Sequence, residues 1–297
     1  MKQMLLKARN GLLASAMVGL LMAGWSVSAS AQNCTTGNWT SVVGLVNGEN
    51  NATGNVGSPP AFRRYAGPCA LKVPVNGVAR YVTDETPNSE TSYIARFYMF
   101  LDNVGQTPIQ VFGASDGQED QIQVWYNSPS PGNLTLRVFD ANGAEQVLAP
   151  FTDVAQRRWH SIELVWDAAA SANIRFSLNG QADRTASVNT TGLGINAVFL
   201  GNVNGADGTG AIDFDDFDSR RTTRPGKLCR GSTVNLDQVP NTITQSDMLQ
   251  IFREVLSGGS QLAQGQPDYL GNGSVTQADF LQVFANHVLA GNSACPE

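Results

Sequence analysis

Short runs in which apolar and polar residues alternate fill the chain from about residue 33 to residue 221. In the clearest of them, residues 93–101, every odd position is apolar and the even positions are mixed, as expected of a strand with one buried and one partly covered face. Turn-forming pairs such as Asn142-Gly143 separate the runs. Similar runs lie at residues 108–112, 121–126, 133–139, 160–166, 173–178, 197–200 and 211–217. The pattern predicts a mainly-β domain, a sandwich or jelly roll, over residues 33–221.

The periodicity becomes helical beyond residues 222–231, a polar segment that we predict to be a linker. Two segments, residues 243–252 and 275–284, repeat one another. Apolar residues recur at helical spacing in both copies, at Met248, Ile251, Phe252, Val255 and Leu256 and at Phe280, Val283, Phe284 and Val288. Because neither helix could bury its stripe alone, residues 232–297 are predicted to form a pair of helices packed face to face.

The first 31 residues have the layout of a secretory signal peptide. Basic residues precede an apolar run over residues 11–24, and residues 29–31 (Ala-Ser-Ala) fit the small-residue cleavage pattern. The apolar run is shorter than the ~20 residues that a membrane-spanning helix needs. We therefore expect a secreted protein, extracellular or periplasmic, without membrane insertion.

The chain is acidic, with a net charge of -6 at pH 7 and scattered basic residues. Nucleic acids are bound through basic faces that neutralise phosphates. The charge therefore argues against a nucleic-acid partner, and it is compatible with calcium binding.

All four cysteines, Cys34, Cys69, Cys229 and Cys295, follow the predicted signal peptide. An even number of cysteines in an exported chain indicates disulfides, and four cysteines allow three pairings. The pairing that respects the domain boundary joins Cys34 to Cys69 and Cys229 to Cys295. Zinc is not favoured, because the chain has no closely spaced cysteine pair.

The region from residue 158 to 218 resembles the second half of a laminin G-like, concanavalin A-like lectin domain. The resemblance rests on the Trp159-His160-Ser161-Ile162 strand, the later Asn-Gly turn at residues 179–180 and the final strand at residues 210–217. It implies a concanavalin A-like jelly roll. The ligand stays open, because that fold serves lectins, adhesion modules and glycosidases alike.

A twelve-residue loop of EF-hand type precedes the second helix, and glycine stands at its sixth position. Its candidate calcium ligands are Asp268, Asn272, Ser274, Thr276 and Asp279. Leu270 occupies a position where a ligand is expected, and the first copy keeps only Asp247. Such a loop repeated before two short helices resembles a dockerin domain over residues 232–291. The resemblance implies calcium and a cohesin-like protein partner, contacted through Gln245, Ser246, Gln277 and Ala278.

The same repeat has an explanation without metal. Thr244 and Thr276 can cap their helices, while Asp247 and Asp279 complete capping boxes three residues later. Both explanations stay open on the sequence alone.

Two surfaces in the β domain could carry chemistry. Trp125 and Tyr126 adjoin Asp116 and Asp120, and aromatic rings beside polar groups would suit a lectin-like sugar site, although aromatics buried in a core are commoner. Asp213 and Asp215 lie two apart on a strand and are the candidate pair for glycoside hydrolysis. We assign no catalytic residue, and we expect His160 to be structural.

These features favour a secreted, non-catalytic binding protein that recognises a polysaccharide or other glycan, with a calcium-linked docking tail. The resemblances imply an accessory role in polysaccharide catabolism. One alternative is an extracellular adhesion or assembly protein that binds a protein partner, and a second is a weak glycoside hydrolase.

Overall fold

The computed structural model describes residues 35–37, 39–45, 55–57, 65, 70–105, 108–127, 132–228, 234, 242–256, 269 and 276–289. Most of them form two antiparallel sheets around one core, followed by two short helices. The predicted mainly-β fold with a small helical tail is confirmed. The predicted signal peptide and the four cysteines lie outside the described residues.

The first sheet has eight strands. They are β1 (Ser41–Val43), β4 (Arg80–Asp84), β6 (Pro108–Ser115), β7 (Asp120–Asn127), β8 (Gly132–Phe139), β9 (Glu145–Val147), β10 (Phe151–Val154) and β14 (Ala197–Asn202). Their hydrogen-bonded order is β1-β4-β14-β6-β7-β8-β10, and β9 pairs with β8.

The second sheet has seven strands. They are β2 (Asn55–Gly57), β3 (Ala70–Pro74), β5 (Ser92–Asp102), β11 (Trp159–Asp167), β12 (Ala172–Leu178), β13 (Arg184–Val188) and β15 (Ala211–Arg220). Their order is β13-β12-β11-β5-β15-β3-β2, so β5 pairs with two strands that are distant in sequence. Such crossovers between two sheets are typical of a jelly roll.

The core lies between the sheets and follows from strand alternation. On β5 the odd positions, such as Tyr93 and Phe97, are fully buried against the other sheet, as the sequence pattern predicts. The even positions Tyr98 and Phe100 are also buried, although they lie on the outer face. The outer face of the second sheet is therefore covered as well.

Part of that cover is residues 221–228, which we call the strap. The Gly226 amide donates to Glu163 Oε2 at 2.7 Å, and the Leu228 amide donates to the Tyr98 hydroxyl at 2.8 Å. Arg224 donates to Asp183 at 2.8 and 3.0 Å and also binds Glu163. The first residues of the predicted linker are thus bound across β11 and β5.

The tail contains α1 (Gln245–Leu256), α2 (Gln277–Val283) and a π-helical turn, Phe284–Val288. Its small core consists of Val234, Ile243, Met248, Ile251 and Val283. The predicted stripes are only partly buried, because Phe252, Leu256 and Phe284 are 43%, 70% and 38% exposed. Neither described helix is long and apolar enough to cross a bilayer.

Candidate functional site

A row of neighbouring side chains crosses the outer face of the first sheet, and we call it the contact row. It runs over β4, β14, β6, β7, β8 and β9 and consists of Tyr81, Phe199, Gln110, Asp120, Gln123, Trp125, Arg137 and Glu145. These side chains share one face because their strand neighbours, such as Val124 and Leu136, point into the core.

The centre of the contact row is a hydrogen-bonded group of amides around one carboxylate. Asp120 Oδ2 accepts a hydrogen bond from Gln123 Nε2 at 2.8 Å and another from Gln110 Nε2 at 3.3 Å. Gln123 Oε1 in turn accepts from the indole Nε1 of Trp125 at 2.8 Å. The indole of Trp125 is therefore fixed in orientation while the residue stays half-buried.

The other aromatic end of the contact row depends on a glycine. Phe199 on β14 lies opposite Gly113 on β6, and a Cβ at Gly113 would stand 3.3 Å from the Phe199 ring and 2.8 Å from Gln110 Nε2. Glycine therefore lets the ring and the amide converge above the sheet. Tyr81 packs edge-on against Phe199, with ring centroids 5.7 Å apart.

The cation of the contact row is neutralised locally. The guanidinium of Arg137 lies 4.8 Å from the centroid of the Trp125 ring and 3.2 Å from Glu145 Oε1. It thus covers part of the indole and is paired with a carboxylate. With Asp120 included, the contact row carries more negative than positive charge.

The structure separates the four residues that the sequence suggested for this site. Trp125 and Asp120 lie together in the contact row. Tyr126 is fully buried in the core on the opposite side of the strand, so it does not belong to the surface. Asp116 caps the β6–β7 turn by accepting the Gln118 and Glu119 amides at 2.8 Å each. Alternation explains the correction, since neighbouring residues on a strand face opposite ways.

Sequence reasoning missed the other members of the contact row, which are Tyr81, Phe199, Gln110, Gln123, Arg137 and Glu145. For Gln123 and Arg137 a signal existed, because each alternates with apolar residues on its own strand. For Tyr81 and Phe199 none existed, because strand order alone brings them together.

The candidate hydrolytic pair is not presented to a substrate. Asp213 is completely buried. Asp215 Oδ1 accepts the Asp216 amide at 2.7 Å, and its Oδ2 accepts the Tyr65 amide. Both carboxylates therefore belong to the packed outer face of the second sheet.

His160 has the structural role that the sequence indicated. Its Nε2 lies 2.7 Å from the Ala155 carbonyl, and its Nδ1 lies 3.1 Å from the Asn179 amide nitrogen. Asn179 Oδ1 also accepts the Ser161 amide at 2.9 Å, which closes the β11–β12 hairpin. Burial lowers the pKa of His160, so the neutral ring that this bonding pattern needs is favoured.

An ion cluster lies beneath the strap. Arg96, only 3% exposed, binds Asp216 at 2.9 Å, approaches Asp218 at 3.9 Å and donates to the Gly226 carbonyl at 3.3 Å. Burial raises the pKa of Asp216, while Arg96 lowers it. A groove of about 410 Å³ beside the strap is lined by Ser161, Glu163, Ser177, Asp183, Arg224 and neighbouring residues.

In the tail, the predicted partner-contacting residues Gln245, Ser246, Gln277 and Ala278 are all exposed in the first turns of α1 and α2. Among the predicted calcium ligands, only Thr276 and Asp279 are described. Asp279 Oδ2 accepts hydrogen bonds from the Thr276 amide and hydroxyl, each at 2.8 Å.

The first repeat has the same arrangement, with Asp247 Oδ2 accepting from the Thr244 amide at 2.7 Å and the Thr244 hydroxyl at 3.1 Å. The capping explanation therefore accounts for both described ends. Asp268, Asn272 and Ser274 lie outside the described residues. Within the described ranges, no three His, Cys, Asp or Glu side chains are grouped so that they could hold a metal ion.

No known protein family and no curated protein matches the chain. Among solved structures it is similar to the receptor-binding domain of botulinum neurotoxin type G, with 14% identity and a TM-score of 0.41 over 53% of this chain and 40% of that one. The chain thus spans less than half of the toxin domain. It is also similar to two alginate lyases. Alginate lyase AlyC3 shows 10% identity and a TM-score of 0.40 over 51% of this chain and 74% of that one.

The alginate lyase from Klebsiella pneumoniae shows 10% identity and a TM-score of 0.40 over 59% of this chain and 84% of that one. Because these TM-scores are low, we assign the fold from the strand order and packing of this chain alone. We argue its function from its own surface residues.

Proposed function

We propose that the protein is secreted and binds a glycan on the outer face of the first sheet without cleaving it. The observation that carries the proposal is the half-buried Trp125 ring, held by Gln123 beside the Asp120 carboxylate. Aromatic rings pack against the apolar faces of sugars, and fixed amide and carboxylate groups bond their hydroxyls. The burial of Asp213 supports a role without hydrolysis.

The test is co-sedimentation of the chain from Gln32 onward with insoluble cellulose, chitin, mannan and xylan. We expect pelleting with at least one of them and no release of reducing sugar. Trp125→Ala should weaken this binding at least tenfold, equivalent to about 1.4 kcal/mol, because the stacking ring is lost. Binding isotherms measure the change.

A matched control is Trp159→Phe, which alters a half-buried aromatic on the other sheet, packed against Tyr65 and Phe100. It should bind as the unchanged protein does. Full binding by Trp125→Ala would remove this face as the glycan site. Failure of every polysaccharide to pellet the protein would reject the glycan proposal.

The tail supports a second candidate function, docking onto a cohesin-like protein partner. Beside the exposed first turns of α1 and α2, the tail presents apolar side chains that a partner could cover. They are Phe252, Leu256, Leu281, Phe284 and Leu289, which are 38–70% exposed. In this proposal calcium orders the loop before α2, and disulfides Cys34–Cys69 and Cys229–Cys295 stabilise the exported chain.

The calcium proposal predicts that EDTA lowers the melting temperature by a few degrees, because removing a ligand of the folded state removes its linked stabilisation. Asp279→Ala should abolish the difference between calcium and EDTA. Asp247→Ala, which removes the equivalent cap in the first repeat, should keep it. Identical melting curves in calcium and EDTA for the unchanged protein would leave capping as the sole role of Asp279.

A further inference from the structure

The contact row is much longer than one sugar ring. From Tyr81 on β4 to Arg137 on β8 it crosses four interstrand spacings of about 4.8 Å, or roughly 19 Å. The Tyr81 and Phe199 rings pack together at one end, and Phe199 and Gln110 both adjoin Gly113. Hydrogen bonds then link Gln110 through Asp120 and Gln123 to Trp125.

Two aromatic positions are separated along this direction by a polar centre. Phe199 on β14 and Trp125 on β7 lie two strands apart, about 10 Å. The polar centre between them presents the half-buried Gln123 amide and Asp120 carboxylate, while Gln110 is buried and donates to Asp120. Both aromatic residues are half-buried, so each keeps part of its surface in solvent. This arrangement suits a chain that stacks at two places and forms hydrogen bonds in between.

The charges of the contact row select against polyanions. A carboxylated polysaccharide needs accessible cations, preferably arginine forks. The described strands of the first sheet contain two basic residues, Arg80 and Arg137. Arg80 is buried and bound to Asn76, whereas Arg137 is paired with Glu145. Asp120 would repel a further carboxylate.

We infer that the contact row binds several consecutive units of an extended, uncharged polysaccharide running across the strands, with Phe199 and Trp125 as two separate stacking positions. The inference rests on the proposed glycan-binding function. It adds a ligand class, the internal segments of a neutral chain, and a second specificity-determining residue, Phe199.

The experiment measures affinity for oligosaccharides of increasing length, prepared from the neutral polysaccharide that pellets the protein. We expect the affinity to rise at least tenfold from the disaccharide to the pentasaccharide. Phe199→Ala should remove most of this gain, while Trp125→Ala should weaken binding at every length. Circular dichroism checks that each variant is folded.

A second variant tests the Phe199 end of the contact row and keeps both aromatic rings. Gly113→Ala places a methyl group against Gln110 and Phe199, and it should also reduce the length dependence. Equal affinities for short and long chains, or a Phe199→Ala variant that keeps the full gain, would overturn the extended site while leaving glycan binding at Trp125 intact. Tighter binding to soluble polygalacturonate than to any neutral chain would overturn the ligand class.

Discussion

Replacing Arg96 by methionine should lower the free energy of unfolding by about 3 kcal/mol at neutral pH. Arg96 is almost fully buried and neutralises Asp216 at 2.9 Å. Removing one member of a buried ion pair leaves the other charge without a partner, which typically costs ~3–5 kcal/mol of stability. We expect a loss at the lower end of this range, because the Asp216 side chain is 30% exposed and water solvates part of its charge. Urea unfolding measures the change.

The same variant should regain part of its stability in acid. Burial and the neighbouring Asp218 raise the pKa of Asp216, and Arg96 is the group that opposes them. Without Arg96 the folded-state pKa rises further above the unfolded value, so protonation favours the folded chain. The stabilising contribution of Asp216 to the folded state is then fully present below about pH 4 and is lost as the pH rises through the folded-state pKa.

Arg220→Met is the matched control. Arg220 binds Asp218 at 2.8 Å, but its side chain is 44% exposed and solvent screens the pair, so the loss of stability should be much smaller than that of Arg96→Met. Equal losses for the two arginine variants, or a deficit of Arg96→Met that is the same at neutral and acidic pH, would contradict this account of the ion cluster.

Replacing Glu163 by alanine should release the strap and expose the Lys227–Leu228 bond to trypsin. Glu163 is buried and accepts both the Gly226 amide and Arg224, so its loss frees two attachment points at once. Local opening determines how often a protease reaches a native chain. We expect native-state cleavage at this bond to be at least tenfold faster, which corresponds to about 1.4 kcal/mol of opening free energy.

Asp183→Ala is the control for this experiment, because it removes only the more exposed partner of Arg224 and leaves Glu163 in place. Its cleavage rate should change less than threefold, or by under about 0.7 kcal/mol. Mass spectrometry assigns the cut to Lys227, since Pro225 follows Arg224 and protects that bond. If Glu163→Ala were cleaved no faster than Asp183→Ala, the strap would be held by other contacts.

How far the sequence predicts the fold depends on the kind of signal each element carries. Residues 92–102 form β5 because every odd position from 93 to 101 carries an apolar side chain, and this was visible in the sequence. Strand β9 has three exposed residues and no alternation of buried positions, so only its pairing with β8 makes it a strand. Such edge strands depend on tertiary context and were not predicted.

The candidate site likewise contains residues that the sequence marks and residues that only the tertiary structure brings into place. Trp125 was found because an unusual residue type marked it, whereas its fixed orientation depends on Gln123, a residue with no distinctive signal of its own. The alternation of β7 could have excluded Tyr126, because Tyr126 lies on the same face of the strand as the buried residues Ile122 and Val124. The contact between Tyr81 and Phe199 follows from the crossover that places β14 beside β4, and periodicity contains no information on that pairing.

The position of the strap has a consequence for attachment. It lies on the outer face of the second sheet, while the contact row lies on the outer face of the first, so the thickness of the sandwich separates them. A polysaccharide on the contact row therefore leaves the strap, which ends at residue 228, unobstructed. Attachments at the contact row and through the tail could therefore form simultaneously. Two attachments on one chain reinforce each other through effective concentration, so that avidity could exceed either affinity alone.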